Sequence, residues 1–268
     1  TEYQYARVIE DDDGTRTLEL NEGQAVHSLY RPGRWLTGDY WDEPLVLPFA
    51  GRRAAPRSVA ILGGGAGTIA RSYGRFFPRT RVDLVEIDGA LLDAGRELFD
   101  LRAPRLHEHT EDARPWLRRT DRRFDLIYVD AYRQPYIPFY LATKEFFELC
   151  RERLAPGGAV LVNVGHPEGS DRLEEVLSAT MGAVFGTVLR DPSEDTNTQV
   201  LATDAPASAA RLAGAVPRLP APLRAVAAGA AARLAPGLRG GEVYTDDQAP
   251  VEWLIDASIV QVAAEGER

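Results

Sequence analysis

Ser58-Val-Ala-Ile-Leu-Gly-Gly-Gly-Ala-Gly-Thr68 is the stretch on which the reading of this chain turns. An apolar run, Ser58 to Leu62, meets the loop Gly63-Gly64-Gly65-Ala66-Gly67, and a helix-forming stretch follows from Thr68. A second apolar run, Arg81-Val-Asp-Leu-Val-Glu86, ends on an acid. Strand, glycine turn, helix, strand and acid in this order commonly hold a nucleoside. Glycines let the backbone approach the ligand, and the acid can take two ribose hydroxyls. The order predicts an adenosine-containing ligand. It leaves open which one, because Gly65-Ala66-Gly67-Thr68-Ile69-Ala70 also satisfies a dinucleotide fingerprint with alanine in the last place.

Outward from this stretch, strand-like and helix-like segments alternate. Strands are expected near 58–62, 81–86, 105–109, 124–130, 158–164, 184–190 and 197–203, and helices near 67–77, 89–99, 112–119, 141–154 and 170–181. Such alternation predicts an α/β fold with a mostly parallel sheet covered on both faces. Pro156-Gly157-Gly158 is expected to form a tight turn before its strand. Residues 3–50 look like short strands, with Asp13-Gly14 as a hairpin turn, so Asp11-Asp12-Asp13 is a solvated tip rather than a metal site. Two domains are expected: a small β domain over 1–52 and a Rossmann-like domain over 53–268. Within the latter, the Ala/Pro-rich segment 204–240 suggests two short helices serving as an insertion, lid or oligomer contact. Asp247 is expected to cap a last helix running to about 262.

Composition narrows the function classes. A net charge of −9 argues against nucleic acid as the main partner and suits cationic small molecules. One cysteine, Cys150, excludes an intrachain disulfide framework and a cysteine-cluster zinc site; its apolar helical setting predicts a buried, inert thiol. No apolar run is long enough to span a bilayer, and no charged-then-apolar leader is present. These features predict a cytoplasmic protein with no membrane partner and no metal.

Three later features choose among adenosine ligands. Glu111-Asp112-Ala113 follows the third strand, where a carboxylate can accept from an adenine amino group. Phe124-Asp-Leu-Ile-Tyr-Val-Asp130 ends a buried strand on an acid aimed at the same crevice, and Pro156-Gly157-Gly158 precedes the next strand. That order is the pattern of the Rossmann-like class I S-adenosylmethionine-dependent methyltransferase fold. The donor-binding set expected from this order is Gly63, Gly64, Gly65, Ala66, Gly67, Glu86, Ile87, Glu111, Asp112, Ala113 and Asp130.

The loop after Asp130, Asp130-Ala-Tyr-Arg-Gln-Pro-Tyr-Ile-Pro-Phe-Tyr-Leu-Ala-Thr143-Lys-Glu-Phe-Phe147, resembles the gate loop of spermidine synthases. Leu18-Glu-Leu-Asn-Glu-Gly-Gln24 resembles that family's hairpin with its ligand-contacting glutamine, and Tyr40-Trp-Asp-Glu-Pro-Leu-Val-Leu-Pro48 its tyrosine-led helix. The resemblance spans most of residues 3–200. It implies a small N-terminal β domain, a homodimer, and transfer of an aminopropyl group from decarboxylated S-adenosylmethionine to putrescine or another amine. It further implies that Gln24, Gly63, Gly65, Glu86 and Asp112 hold the nucleoside, while Tyr40 and Asp130 face the amine.

Three positions depart from the family: Ala66 and Arg133 stand where aspartates are usual, and Trp41 where glutamine is usual. If Ala66 lies beside the donor's tail, loss of that acid favours intact S-adenosylmethionine over the decarboxylated form, since its tail carries a carboxylate. Arg133 would repel a diammonium acceptor. The reaction expected is therefore displacement at a sulfonium-bound carbon by a small-molecule nucleophile. Asp130 would accept the proton, Tyr40 and Tyr132 would orient the acceptor, and Trp41, Arg133 and His166 would line its site. Trp41 either favours the sulfonium by cation–π attraction or simply packs under the loop. Aminopropyl transfer, methyl transfer and cyclisation of the donor's own tail all fit, as does a catalytically silent nucleoside-binding member. His107 and His109 alternate on one strand without a third metal ligand, and Asp246-Asp247 reads most simply as helix capping.

Overall fold

A computed structural model of the chain describes residues 1–21, 25–131 and 136–257. Three antiparallel strands open it, β1 (Ala6–Glu10), β2 (Arg16–Leu20) and β3 (Val26–Tyr30). Asp13-Gly14 makes the first turn: Gly14 has φ 79°, and Asp13 Oδ1 accepts the Thr15 N–H at 2.9 Å. Two 3-10 turns, Tyr40–Leu45 and Leu47–Ala50, then lead into the large sheet.

That sheet contains β4 (Ser58–Leu62), β5 (Arg81–Glu86), β6 (Leu106–Thr110), β7 (Phe124–Val129), β8 (Leu154–Gly165), β9 (Thr187–Glu194), β10 (Asn197–Thr203) and β11 (Ala235–Pro236). The connecting helices are α1 (Thr68–Phe76), α2 (Gly89–Leu98), α3 (Ala113–Arg119), α4 (Lys144–Glu152), α5 (Arg172–Gly182), α6 (Ala209–Ala215) and α7 (Leu223–Arg233). Strand order is β11-β9-β10-β8-β7-β4-β5-β6. Strands β4 to β8 run parallel, and β10 returns antiparallel between β8 and β9. This is a Rossmann-like doubly wound sheet. Its central strands are buried on both faces, which is why Val59–Leu62 and Leu126–Val129 are uninterruptedly apolar. The chain reverses its winding between β4 and β7, and a crevice opens at the carboxyl ends of those strands.

One face of the sheet packs α1, α6, α7 and the 3-10 turns around Tyr73, Tyr128 and Leu161; the other packs α3, α4 and α5 around Phe146, Phe147 and Val162. Residues 204–240 form two short helices, α6 and α7, that pack on the sheet. Leu212, Leu223 and Ala227 are buried with Leu47, Leu189 and Leu201, and no residue of the segment lines the cavity described below. Pro156-Gly157-Gly158 differs from the expected turn too. Leu154 pairs with Phe124 and Ala159 with Leu126, so these residues bulge within β8 instead of preceding it. The strand expected at 184–190 is displaced to Thr187–Glu194, because its ladder with β10 runs on toward the sheet's carboxyl end. Cys150 is fully buried. Among the described residues no helix is long and apolar enough to cross a membrane.

Candidate active site

A cavity of about 530 Å³ lies at the carboxyl ends of β4, β5 and β7, lined by the glycine loop, β3, the first 3-10 turn and residues 136–141. The turn of the loop is forced by packing. Gly63 (φ 81°) has the Asp130–Ala131 backbone against it, where a Cβ would lie 2.5 Å from Ala131 Cα. Gly65 (φ 50°) has Ser28 Oγ at 2.8 Å from the same virtual atom, so β3 is drawn onto the loop. These close approaches bring Asp130, β3 and the loop to one wall.

Glu86 ends β5 buried against that loop. Its Oε2 accepts Gly64 N–H at 3.0 Å and Gly65 N–H at 2.9 Å, and its Oε1 accepts Asp88 N–H at 3.0 Å. Burial pushes its pKa up, and these backbone donors pull it back. A carboxylate offers about four acceptor directions, so little more than one ribose hydroxyl finds room without displacing a donor, against the two expected. Glu86 is thus both a loop staple and a cavity wall.

Asp112 caps α3 by accepting Arg114 N–H at 2.9 Å through Oδ1, while Oδ2 accepts the Tyr140 hydroxyl at 2.8 Å. Tyr140 also lines the cavity, so the loop after Asp130 closes onto the carboxylate expected to read adenine. Burial and then this bond push the Tyr140 pKa up to about 12, leaving the hydroxyl a donor at neutral pH. Glu111 and Ala113 line the same wall, and Glu111 pairs with Arg119. Asp246 is no helix cap: it forms a bidentate pair with Arg114 at 2.6 and 2.8 Å and accepts the Thr143 hydroxyl at 2.7 Å. Arg114 in turn donates to the Tyr140 carbonyl at 3.0 Å, tying the tail to the loop. Asp247 caps nothing either, since it lies in a turn closed between Thr245 and Gln248 and the last helix starts at 251.

Asp130 also lines the cavity. Its Oδ1 accepts Asn163 Nδ2–H at 2.8 Å and its Oδ2 the Tyr128 hydroxyl at 3.3 Å. Burial raises its pKa to about 6, opposed by those two bonds and aided by the charge of Glu86. At neutral pH it is a carboxylate of raised basicity, suited to accept a proton. Tyr40 and Trp41 line the same cavity, their rings 4.6 Å apart. Trp41 is also core, with 5% exposure.

The structure therefore brings together Tyr40, Trp41, Gly63, Gly64, Gly65, Glu86, Ile87, Glu111, Asp112, Ala113 and Asp130. It does not bring Ala66, Gly67 or His166. Ala66 is fully buried with Leu18, Leu20, Leu91 and Phe99, and its N–H goes to Ser28 Oγ at 2.8 Å. Gly67 packs on Leu101, and His166 is bonded to Thr198 and the Pro167 carbonyl. Gln24, Tyr132 and Arg133 lie outside the described residues. His109 bonds Asp83 and His107 bonds Arg81 on the edge strand, and neither lines the cavity. Sequence reasoning missed His27, Tyr140 and Asn163. The first two lie in stretches read for other residues, but Asn163 had a signal: it is the polar residue inside Ala159-Val-Leu-Val-Asn163-Val164.

The charge of the cavity is one-sided. Glu2, Glu86, Glu111, Asp112, Asp130 and Glu252 line it, and among the described lining residues there is no lysine or arginine. His27, the one histidine there, has its pKa lowered by burial to about 4 and is neutral.

Residues 47–190 match the model of the spermine/spermidine synthase domain. Over 204 residues the chain is 36% identical to a probable polyamine aminopropyl transferase of Bifidobacterium longum, covering 75% of this chain and 45% of that protein. The chain spans about half the length of the curated relatives it matches. A probable spermidine synthase from Corynebacterium glutamicum superposes with TM-score 0.68 at 24% identity, over 90% of this chain and 95% of that one. Human methyltransferase-like protein 13, solved with SAH, gives 0.56 at 18% identity, over 79% and 98%. At these identities the two structures bear on the fold alone.

Proposed function

The chain belongs to the spermine/spermidine synthase family, and from that premise we propose that it moves an aminopropyl group from decarboxylated S-adenosylmethionine to an amine. The observation that carries the donor choice is the cavity lined by six carboxylates without a lysine or arginine among the described residues. A donor with a sulfonium and an ammonium is drawn into such a field. A tail ending in a carboxylate meets like charge, with unit pairs a few ångströms apart worth roughly 1–4 kcal/mol between water and a protein surface. The argument for the intact donor rested on Ala66, and Ala66 is buried behind Leu20 and Leu91 and does not itself line the cavity.

Glu86 and Asp112 bind the ribose and the adenine amino group, and Asp130 with Tyr40 receives the acceptor. As the amine nitrogen bonds to the carbon beside sulfur, the carbon–sulfur bond breaks and its electron pair stays on sulfur, leaving neutral methylthioadenosine. Asp130 takes the proton the amine gives up. Placing nucleophile, carbon and sulfur in line is worth roughly 7–11 kcal/mol in well-oriented systems. The homodimer and the small-molecule acceptor implied by the family belong to the same reading.

The test is product analysis. The purified protein is given each donor with a panel of mono-, di- and triamines, and the released nucleoside is identified. Methylthioadenosine formed only with the decarboxylated donor is expected. S-adenosylhomocysteine and a methylated amine would overturn the reading, and no turnover with either donor would point to a silent family member.

A further inference from the structure

Asp130 does not stand alone on its strand. Val129 pairs with Val162, which sets Asp130 opposite Asn163; Asn163 pairs with Gln199, and Gln199 with Asp191. Side chains at paired positions share a sheet face, so a polar row crosses four strands among Tyr128, Leu161, Leu189 and Leu201. Asn163 and Gln199 are both almost fully buried, at 2% and 0% exposure.

An asparagine amide can be turned either way, and its neighbours decide which atom faces what. Here the decision is firm. Asn163 Oδ1 accepts from Asn197 Nδ2 at 3.0 Å and from Gln199 Nε2 at 2.9 Å, so Nδ2 is left for Asp130, which it meets at 2.8 Å. The reversed amide would set an oxygen against a carboxylate and two N–H groups against an N–H. Gln199 Oε1 is buried and finds no partner among the described residues. A leucine there would avoid that cost, as Leu201 does two residues on along the same face. The amide contributes something apart from packing.

We propose that Asn163 and Gln199 are positioning residues of the transfer reaction, Gln199 locking the Asn163 amide and Asn163 holding the Asp130 carboxylate at the cavity wall. This rests on Asp130 as the proton acceptor. Among the described residues, the ionisable groups that act on Asp130 are Tyr128 on its own strand and Glu86 at the end of β5, while Glu2, Tyr3, His27, Tyr40, Glu111, Asp112, Tyr136, Tyr140 and Glu252 line the same cavity. None of these is altered in the variants below.

The experiment is a 13C-detected titration of aspartate carboxyls in the full chain, with Asp130 assigned by its loss in Asp130→Asn. The wild-type midpoint is expected near 6. Asn163→Leu removes an N–H donor from the charged form, so the midpoint should rise by about one to two pH units. Gln199→Met removes one of the two amide donors to Asn163 Oδ1 and should move it less, in the same direction. The acid limb of kcat/KM should follow, with donor affinity by calorimetry within about threefold of wild type. Midpoints unchanged in both folded variants would overturn the proposal; if Asn163→Leu does not fold, Gln199→Met decides. Because the titration needs no turnover, it is separable from the proton-acceptor role, which fails instead if Asp130→Asn keeps its activity.

Discussion

On the side proposed for the nucleoside, Glu86 is anchored by three backbone N–H groups and Asp112 by one backbone N–H and the Tyr140 hydroxyl, whereas on the side proposed for the acceptor Asp130 is anchored by the side chains of Asn163 and Tyr128. Backbone donors come with the glycine loop and the start of α3, and any sequence that folds this way supplies them. Side-chain donors depend on residues on other strands, so they can be exchanged singly. The first end is a fixed socket, and the second is adjustable. Behind it the same polar row continues to Asp191, which Arg233 of α7 grips at 2.7 and 3.1 Å while also reaching Glu43 at 2.6 Å.

The largest effect should come from breaking the adjustable end. Asp130→Asn should lower kcat by about 10²–10⁴-fold, measured as methylthioadenosine release, with donor binding little changed. In the wild type the carboxylate must be ionised to accept a proton. Activity of the free enzyme should therefore fall as pH drops through about 6. Unchanged turnover in Asp130→Asn would dissolve the distinction between the two ends.

Next comes the support behind that end. Arg233→Met leaves the buried acids Asp191 and Glu43 without their cation, and urea unfolding should show a loss of about 3 kcal/mol. Burial, then the neighbouring charge of Asp191, raise the Glu43 pKa to about 8. The folded chain therefore holds a proton there that the unfolded chain releases near 4.5, and stability declines as pH rises from about 4.5 to about 8. Glu43→Gln should flatten that slope, and an unchanged slope would assign it elsewhere.

Glu86→Gln tests the socket. It removes charge and one acceptor oxygen from three backbone donors, so calorimetry should show donor binding weakened by about tenfold, with the Asp130 titration lowered and not raised. The smallest effect is expected at Asp246→Asn. Asp246 is 43% exposed but its bidentate partner Arg114 only 11%, so the pair is partly screened and stability should drop by about 1 kcal/mol. A larger rise in donor KM would show that the tail governs Tyr140 and the loop over Asp112.

Legibility follows the same division. The hairpin at Asp13-Gly14, the glycine loop, Glu86 and Asp112 were readable because each depends on residues close in sequence or on a strand-end position that periodicity marks. Asp112, for instance, caps Arg114 two residues on. Ala66 was misplaced because the loop's curvature, set by contacts with β3 and Asp130, decides which way each residue points. Tyr140 and Asn163 went unread because their partners lie 28 and 33 residues away.

Amino-acid order alone determined the doubly wound sheet, the glycine loop and the acids at its strand ends, since backbone geometry and hydrophobic periodicity are local properties. Tertiary structure alone decided that Ala66 is buried, that residues 204–240 cover the sheet, and that the Asn163 amide meets Asp130. Those outcomes rest on strand register and on contacts between distant segments, which no short-range pattern encodes.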